Sequence, residues 1–117
     1  MRDARRVDRW IVDTGTVETN SGVVTHTDTR GRVQRKRMTF RMYGGAAILH
    51  AIDALRGKRG GISARTEIAI APGTRSFSRA RLGAVLVNAL AWSTGARIAG
   101  VRRGALARPE YGMPPSI

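Results

Sequence analysis

Short apolar, β-prone runs along the chain alternate with two longer stretches that carry helical spacing. Residues 9–12 (RWIV) run into Asp13, Thr14, Gly15 and Thr16. An apolar run that ends in a Gly/Asp/Thr cluster predicts a buried strand entering a turn. Residues 21–27 (SGVVTHT) predict a second strand, and residues 33–40, beyond the turn at Arg30 and Gly31, a third. Their closeness predicts a hairpin, and the many cations of the third strand suit a sheet edge, where charge opposes edge-to-edge pairing. Over residues 43–56, Ile48, Ile52 and Leu55 recur at i, i+4 and i+7, with Ala46, Ala47, Ala51 and Ala54 between them. That is an amphipathic helix, ended by Gly57 and the Gly60-Gly61 pair. Residues 66–71 (TEIAIA) predict a buried strand that stops at Pro72-Gly73. A second helix starts near Ser76 or Ser78, both good N-caps, runs through Trp92 and ends at Gly95; a short strand follows over 97–101.

The predicted organisation is a charged lead-in over residues 1–8, a single α/β lobe over 9–101, and a Gly- and Pro-containing tail or opening of a further element over 102–117. The order β-β-β-α-β-α-β predicts a mixed sheet. In it the 23–27 strand runs antiparallel to its hairpin neighbours. The strands around Ile11, Ile68 and Ile98 lie inside, and both helices lie on one face.

The second helix is apolar all round. Leu82, Val85, Leu86 and Ala89 form one stripe, and Ala80, Ala84, Val87 and Ala91 form the opposite one. Asn88 is the only plainly polar residue from Leu82 through Trp92. A helix apolar all round is buried all round. The expectation is that the large side chains face the sheet. The small stripe then faces outward, bordered by Ala47, His50 and Ala54 of the first helix, and lets another backbone approach closely. Two arrangements satisfy this: the helices pack on each other, or they form a protein–protein interface with a second copy or another chain. The interface is the reading adopted, and in it an arginine at Ala84 would leave the fold intact.

Charge adds a second theme. Lys and Arg number 21 against 8 Asp and Glu, a net charge of +13, and only Lys36 and Lys58 are lysines. Such a chain attracts polyanions, RNA first, by counterion release. An Arg-, Ala- and Gly-rich composition also arises from a GC-rich genome, and composition alone does not separate the two. Cysteine is absent, which excludes disulfides, thiol catalysis and Cys-ligated zinc. No run of 18 apolar residues occurs, and the charged start is not followed by an apolar signal segment. The chain reads as cytoplasmic. His26 and His50 have no partner at metal-ligand spacing and read as structural. With so few acids, neither a Ser–His–Asp set nor paired carboxylates is arguable, so no enzyme and no cofactor are expected.

Residues 66–101, TEIAIAPGTRSFSRARLGAVLVNALAWSTGARIAGV, resemble TsaB, the non-catalytic partner in bacterial tRNA threonylcarbamoyladenosine synthesis. The family's strand, Pro-Gly and Ser-Phe-Thr-Gly-Leu-Arg-x-Gly helix opening is matched by Pro72-Gly73 and by residues 76–83 (SFSRARLG), with Thr74-Arg75 inserted. Residues 11–16 (IVDTGT) are similar to the family's opening strand, and residues 49–55 fall at its first helix. The family's Gly after the Ser/Thr is Arg79 here, and the chain is too short for the second lobe that the family usually carries. The resemblance implies a single ribonuclease-H-like lobe of the actin, sugar-kinase and chaperone-ATPase superfamily. It also implies a scaffold that pairs with a TsaD-type catalytic subunit. In that superfamily Asp13 sits at the phosphate loop, where Thr14 and Gly15 would offer a hydroxyl and an N–H to a phosphate; the alternative is an Asx turn. Gly73 and Ser76, at a helix start rich in arginine, are further anion candidates, although the segment lacks the Gly-Lys-Ser/Thr of a P-loop. A nucleotide held between two lobes would need a second chain. The alternative functions are a basic RNA-binding or ribosome-associated module, and a homodimer.

Overall fold

The computed structural model of the chain describes residues 7–16, 20–39, 45–56, 61–71, 77–102 and 105–108. The elements are β1 (Asp8–Thr16), β2 (Ser21–Thr27), β3 (Val33–Thr39), α1 (Gly45–Arg56), β4 (Thr66–Ile70), α2 (Phe77–Thr94) and β5 (Arg97–Ile98). They form one five-stranded sheet in the order β3-β2-β1-β4-β5. β1, β2 and β3 pair antiparallel; β4 pairs parallel to β1, and β5 parallel to β4.

Strand periodicity decides what is inside. Alternate residues of a strand point to opposite faces, and the register places Trp10 opposite His26 and Ile68, and Val12 opposite Val24 and Ile70. Trp10, Val12, Val24 and Ile68 are fully buried, with Met38 and Ile98 nearly so. α1 lies over β2 and β3, and α2 over β1, β4 and β5. Ile48, Ala51 and Ile52 of α1 and Val87 of α2 join this one strand row in a single cluster, so both helices cover the same face, as the pattern predicts. Burying a residue such as Ile48 or Ile52 contributes roughly 1.5–3 kcal/mol. The opposite face is mixed, with Ile11, Val23 and Ala69 among its polar residues, and carries the cross-strand ion pair of Arg9 with Glu67 (2.8 Å).

One expectation about the sheet differs. The strand around Ile98 is an edge strand of two residues, not an interior one. The chain turns back there: Val101 N–H donates to the Ile98 carbonyl (3.2 Å), and Gly100 takes φ 73°. β3 lies at the other edge, as its charge predicts.

The larger correction concerns α2. Ala80, Ala84 and Val87 are buried in the core, not turned outward, while Val85 is 64% and Trp92 89% exposed. The reason is the closeness of the helix to the sheet. A Cβ on Gly83 would lie 3.4 Å from Thr14 Cγ2 and 3.5 Å from Ile70 Cγ2. The Thr14 hydroxyl, fully buried, donates to the Arg79 carbonyl across 2.9 Å. Against so near a surface only small side chains fit, so Ala80, Gly83 and Ala84 face in and the larger residues turn out or to the flanks. Leu82, Leu86 and Ala91 are half-buried. On α1, Ala47 is half-buried and His50 and Ala54 are exposed.

The lone polar residue of α2 has a defined task. The Asn88 amide donates to the Ala107 carbonyl (3.0 Å) and its oxygen accepts the Ala107 N–H (2.7 Å). Ala107 is buried against the core, so packing reaches past residue 101 into the predicted tail. Residues 109–117 lie outside the described residues.

This packing reverses the expectation for Ala84→Arg. The variant is expected to lose at least about 3 kcal/mol, the order of leaving an uncompensated charge in a core. Val85→Arg, one residue on and in water, is expected to stay within about 0.5 kcal/mol of the parent. Thermal unfolding followed by circular dichroism checks the pair.

Candidate functional site

Three places on the fold bring chemistry-bearing residues together. The first is the β1–β2 turn under the start of α2. Asp13 Oδ1 accepts the Gly15 N–H (2.9 Å), which is the Asx turn. Gly15 has φ 68°, and a Cβ there would lie 1.8 Å from the Ser21 carbonyl oxygen. Asn20, at φ 49°, accepts Arg79 Nη2 on its Oδ1 (2.8 Å). Burial lowers the Arg79 pKa from its ordinary value. The groups expected to meet a phosphate are therefore engaged within the protein. Asp13 holds the Gly15 amide, and the Thr14 hydroxyl holds α2. The turn is a clamp between β1 and α2. Gly73 and Ser76 lie outside the described residues.

The second place is the outer surface of α2. Val85, Ala89 and Trp92 are exposed at i, i+4 and i+7, with half-buried Leu82 and Leu86 beside them. Trp92 and Leu106, the latter 71% exposed, line a hollow of about 260 Å³ together with Ala91 and Ile98. Sequence reasoning assigned Leu82, Val85, Leu86 and Ala89 to the sheet side and gave Trp92 and Leu106 no face.

A third place was missed altogether. Between the β2–β3 turn and the C-terminal end of α1 lies an open cleft of about 550 Å³. Arg30, Arg32, Arg56 and Arg65 line it, with the hydroxyl residues Ser63 and Thr66 at its inner side. Its two carboxylates are engaged. Asp28 accepts the backbone N–H groups of Arg30 and Arg32 (2.9 Å each), and Asp8 Oδ1 lies 2.6 Å from His26 Nε2. The Asp28 carboxyl is held below its ordinary pKa, chiefly by the hydrogen bond from the Arg32 amide. The His26 ring stacks on Trp10, centroids 4.2 Å apart, so His26 is a structural residue joining the cleft to the core. His50 is exposed on α1. Among the described residues no group of three His, Asp or Glu is placed to hold a metal ion, and no helix is long and apolar enough to cross a membrane.

No protein-family model and no curated protein matches the chain. Solved structures do share its fold. YeaZ from Pseudomonas aeruginosa superposes with a TM-score of 0.65 at 19% identity, over 81% of this chain and 43% of that one. A second structure, described as an uncharacterized protein with similarity to peptidase YEAZ from Pseudomonas aeruginosa, gives a TM-score of 0.65 at 18% identity over 79% and 41%. The chain thus spans less than half the length of either. At these identities the likeness is one of fold.

Two expected outcomes test the turns. Gly15→Ala should destabilise the protein by more than about 2 kcal/mol, because a left-handed conformation is strained for alanine and its methyl would enter the Ser21 carbonyl; chemical denaturation measures this. For Asp28, a depressed carboxylate pKa means stabilisation present above the ordinary value and lost as pH falls through the lowered one. The amide protons of Arg30 and Arg32 should therefore gain exchange protection as pH rises through the acid range, and Asp28→Asn should flatten that dependence in an NMR titration.

Proposed function

We propose that the chain is a TsaB-like, non-catalytic scaffold subunit, a single ribonuclease-H-like lobe that pairs with a TsaD-type subunit in threonylcarbamoyladenosine modification of tRNA. Two lines support this reading: the shared fold with YeaZ, the protein also called TsaB, and the motif order along residues 11–16, 49–55 and 66–101. The observation that carries the pairing is the exposed apolar face of α2. Monomers seldom leave a contiguous apolar strip uncovered, and an exposed Trp is the residue type most often found as a binding anchor. Trp92 stands beside the hollow that it shares with Leu106, so a partner side chain would enter next to it. Leu49, His50 and Ala54, exposed on α1, border the same helical layer.

The docking face therefore differs from the small-residue stripe expected from sequence. Helices meeting over Val85, Ala89 and Trp92 approach less closely than helices meeting over alanines. Contact through larger side chains on two helices fits an interface of standard size, about 1,600 Å² of total buried area. The non-catalytic part of the proposal rests on the β1–β2 turn, whose Asp13 carboxylate and Thr14 hydroxyl are committed to structural hydrogen bonds.

Sedimentation of the purified chain, alone and mixed with a TsaD-type subunit, tests the proposal. The chain should associate with that subunit. Trp92→Asp should weaken association at least about 30-fold, the order of losing a 2 kcal/mol anchor, while leaving the unfolding temperature unchanged. A parent chain that stays monomeric in the mixture overturns the pairing.

A further inference from the structure

We propose that the cleft between the β2–β3 turn and the end of α1 binds the phosphodiester backbone of RNA. The inference deepens the tRNA reading by naming where RNA would be held, and rests on that reading only for the choice of RNA. An arginine excess produced by genome composition alone would be scattered over the surface. Here Arg30 and Arg32 from the β2–β3 turn converge with Arg56 and Arg65, which lie far along the chain, on one concave surface. The parallel pairing of β4 with β1 makes this happen, since it sets Thr66 beside Asp8, next to the strand end that leads into the turn.

Two carboxylates, Asp8 and Asp28, face four arginines in the lining and offset only part of their charge. Asp28 is used by two backbone amides, and Asp8 by His26. Arg56 shares an exposed i,i+3 contact with Asp53 (3.1 Å), the kind of pair that water and salt screen heavily. Four arginines against two carboxylates leave the concavity net positive, and planar guanidinium forks match phosphate oxygens in a bidentate way that lysine does not.

Shape and continuity select a polymer over a small anion. The cleft is open, and its cation row continues out of it along the exposed edge strand. Arg32, Gln34 and Lys36 follow one another on one side of the β3 line, and Arg35 and Arg37 stand on the other. Four residues of extended chain span about 13 Å, so the row from Arg32 to Lys36 follows a strand of backbone and exceeds the reach of a single phosphate. The only aromatic ring among the described residues lining the cleft is that of His26, which is stacked on the buried Trp10 and so offers no free face to a base. Contacts of this kind position a nucleic acid without reading its sequence.

Fluorescence anisotropy of the full chain with unmodified tRNA, over a range of salt concentrations, tests the assignment. The parent should bind with a steep salt dependence. Arg32→Gln with Arg65→Gln should weaken binding at least tenfold at low salt and reduce the log–log salt slope by about 2, one unit per lost phosphate contact. Arg97→Gln with Arg102→Gln, at the opposite sheet edge, is the control and should change binding less than twofold. Unfolding temperatures of both variants should match the parent. The cleft is overturned by a parent that does not bind tRNA, by equal losses in both double variants, or by competition from a mononucleotide as effective per phosphate as RNA. The cleft variant should still sediment with a TsaD-type subunit. Failure of the cleft is thus separate from failure of the pairing.

Discussion

The distance between α2 and the sheet governs the rest of the molecule. Gly83 leaves room over Thr14 and Ile70 for no more than a Cβ at van der Waals contact, and the Thr14 hydroxyl fastens the first turn of the helix to β1. A native core tolerates neither a void nor an overlap, so that distance dictates which side chains fit beneath. Ala80, Ala84 and Val87 fit, and their burial forces Val85, Ala89 and Trp92 to the opposite side. The same contact engages the Thr14 hydroxyl, while Asp13 is used locally by the Gly15 amide. An exposed apolar helix face and an engaged Thr14 hydroxyl are therefore two results of one packing decision.

That constraint explains which features were legible in the sequence. The strands announce themselves because each buries one face: Trp10, Val12 and Thr14 alternate with half-exposed neighbours, and Arg35, Lys36 and Arg37 mark an edge. α1 is equally plain, since Ile48, Ile52 and Leu55 recur at i, i+4 and i+7 on a helix whose other residues, Leu49 apart, are small or polar. α2 offers no such contrast. With apolar residues on every side, periodicity does not distinguish in from out, and the rule that large side chains face the core gives the wrong answer here. The informative signal was Ala80, Gly83 and Ala84 at i, i+3 and i+4, a flat strip suited to close approach to a sheet. The basic cleft was hidden for another reason: Arg30, Arg32, Arg56 and Arg65 meet only through the β1–β4 pairing, which no local pattern encodes.

Asn88 shows the same logic from the polar side. A single amide in an apolar helix reads as a flaw until both of its hydrogen-bonding ends are followed to Ala107. It carries the chain from β5 back across α2 and brings Leu106 alongside Trp92. The apolar face is thus a composite of helix and following segment, with a hollow between them that a smooth helix would not have.

The two surfaces differ in physics as well as in place. The α2 face presents Val85, Ala89 and Trp92, with the arginines Arg81, Arg97 and Arg102 around them, so contact there draws chiefly on apolar burial. The cleft is cationic and solvent-exposed, and contact there weakens as counterions compete. They share no residue, because α2 lies over β1, β4 and β5 while the cleft opens beside β2, β3 and the end of α1. A partner covering Trp92 leaves Arg32 and Arg65 open to solvent. One small domain can in this way hold a protein on one side and a polyanion on the other. The separation of the two surfaces is what would let both proposed contacts form at once, with the cationic cleft the more salt-sensitive of the two.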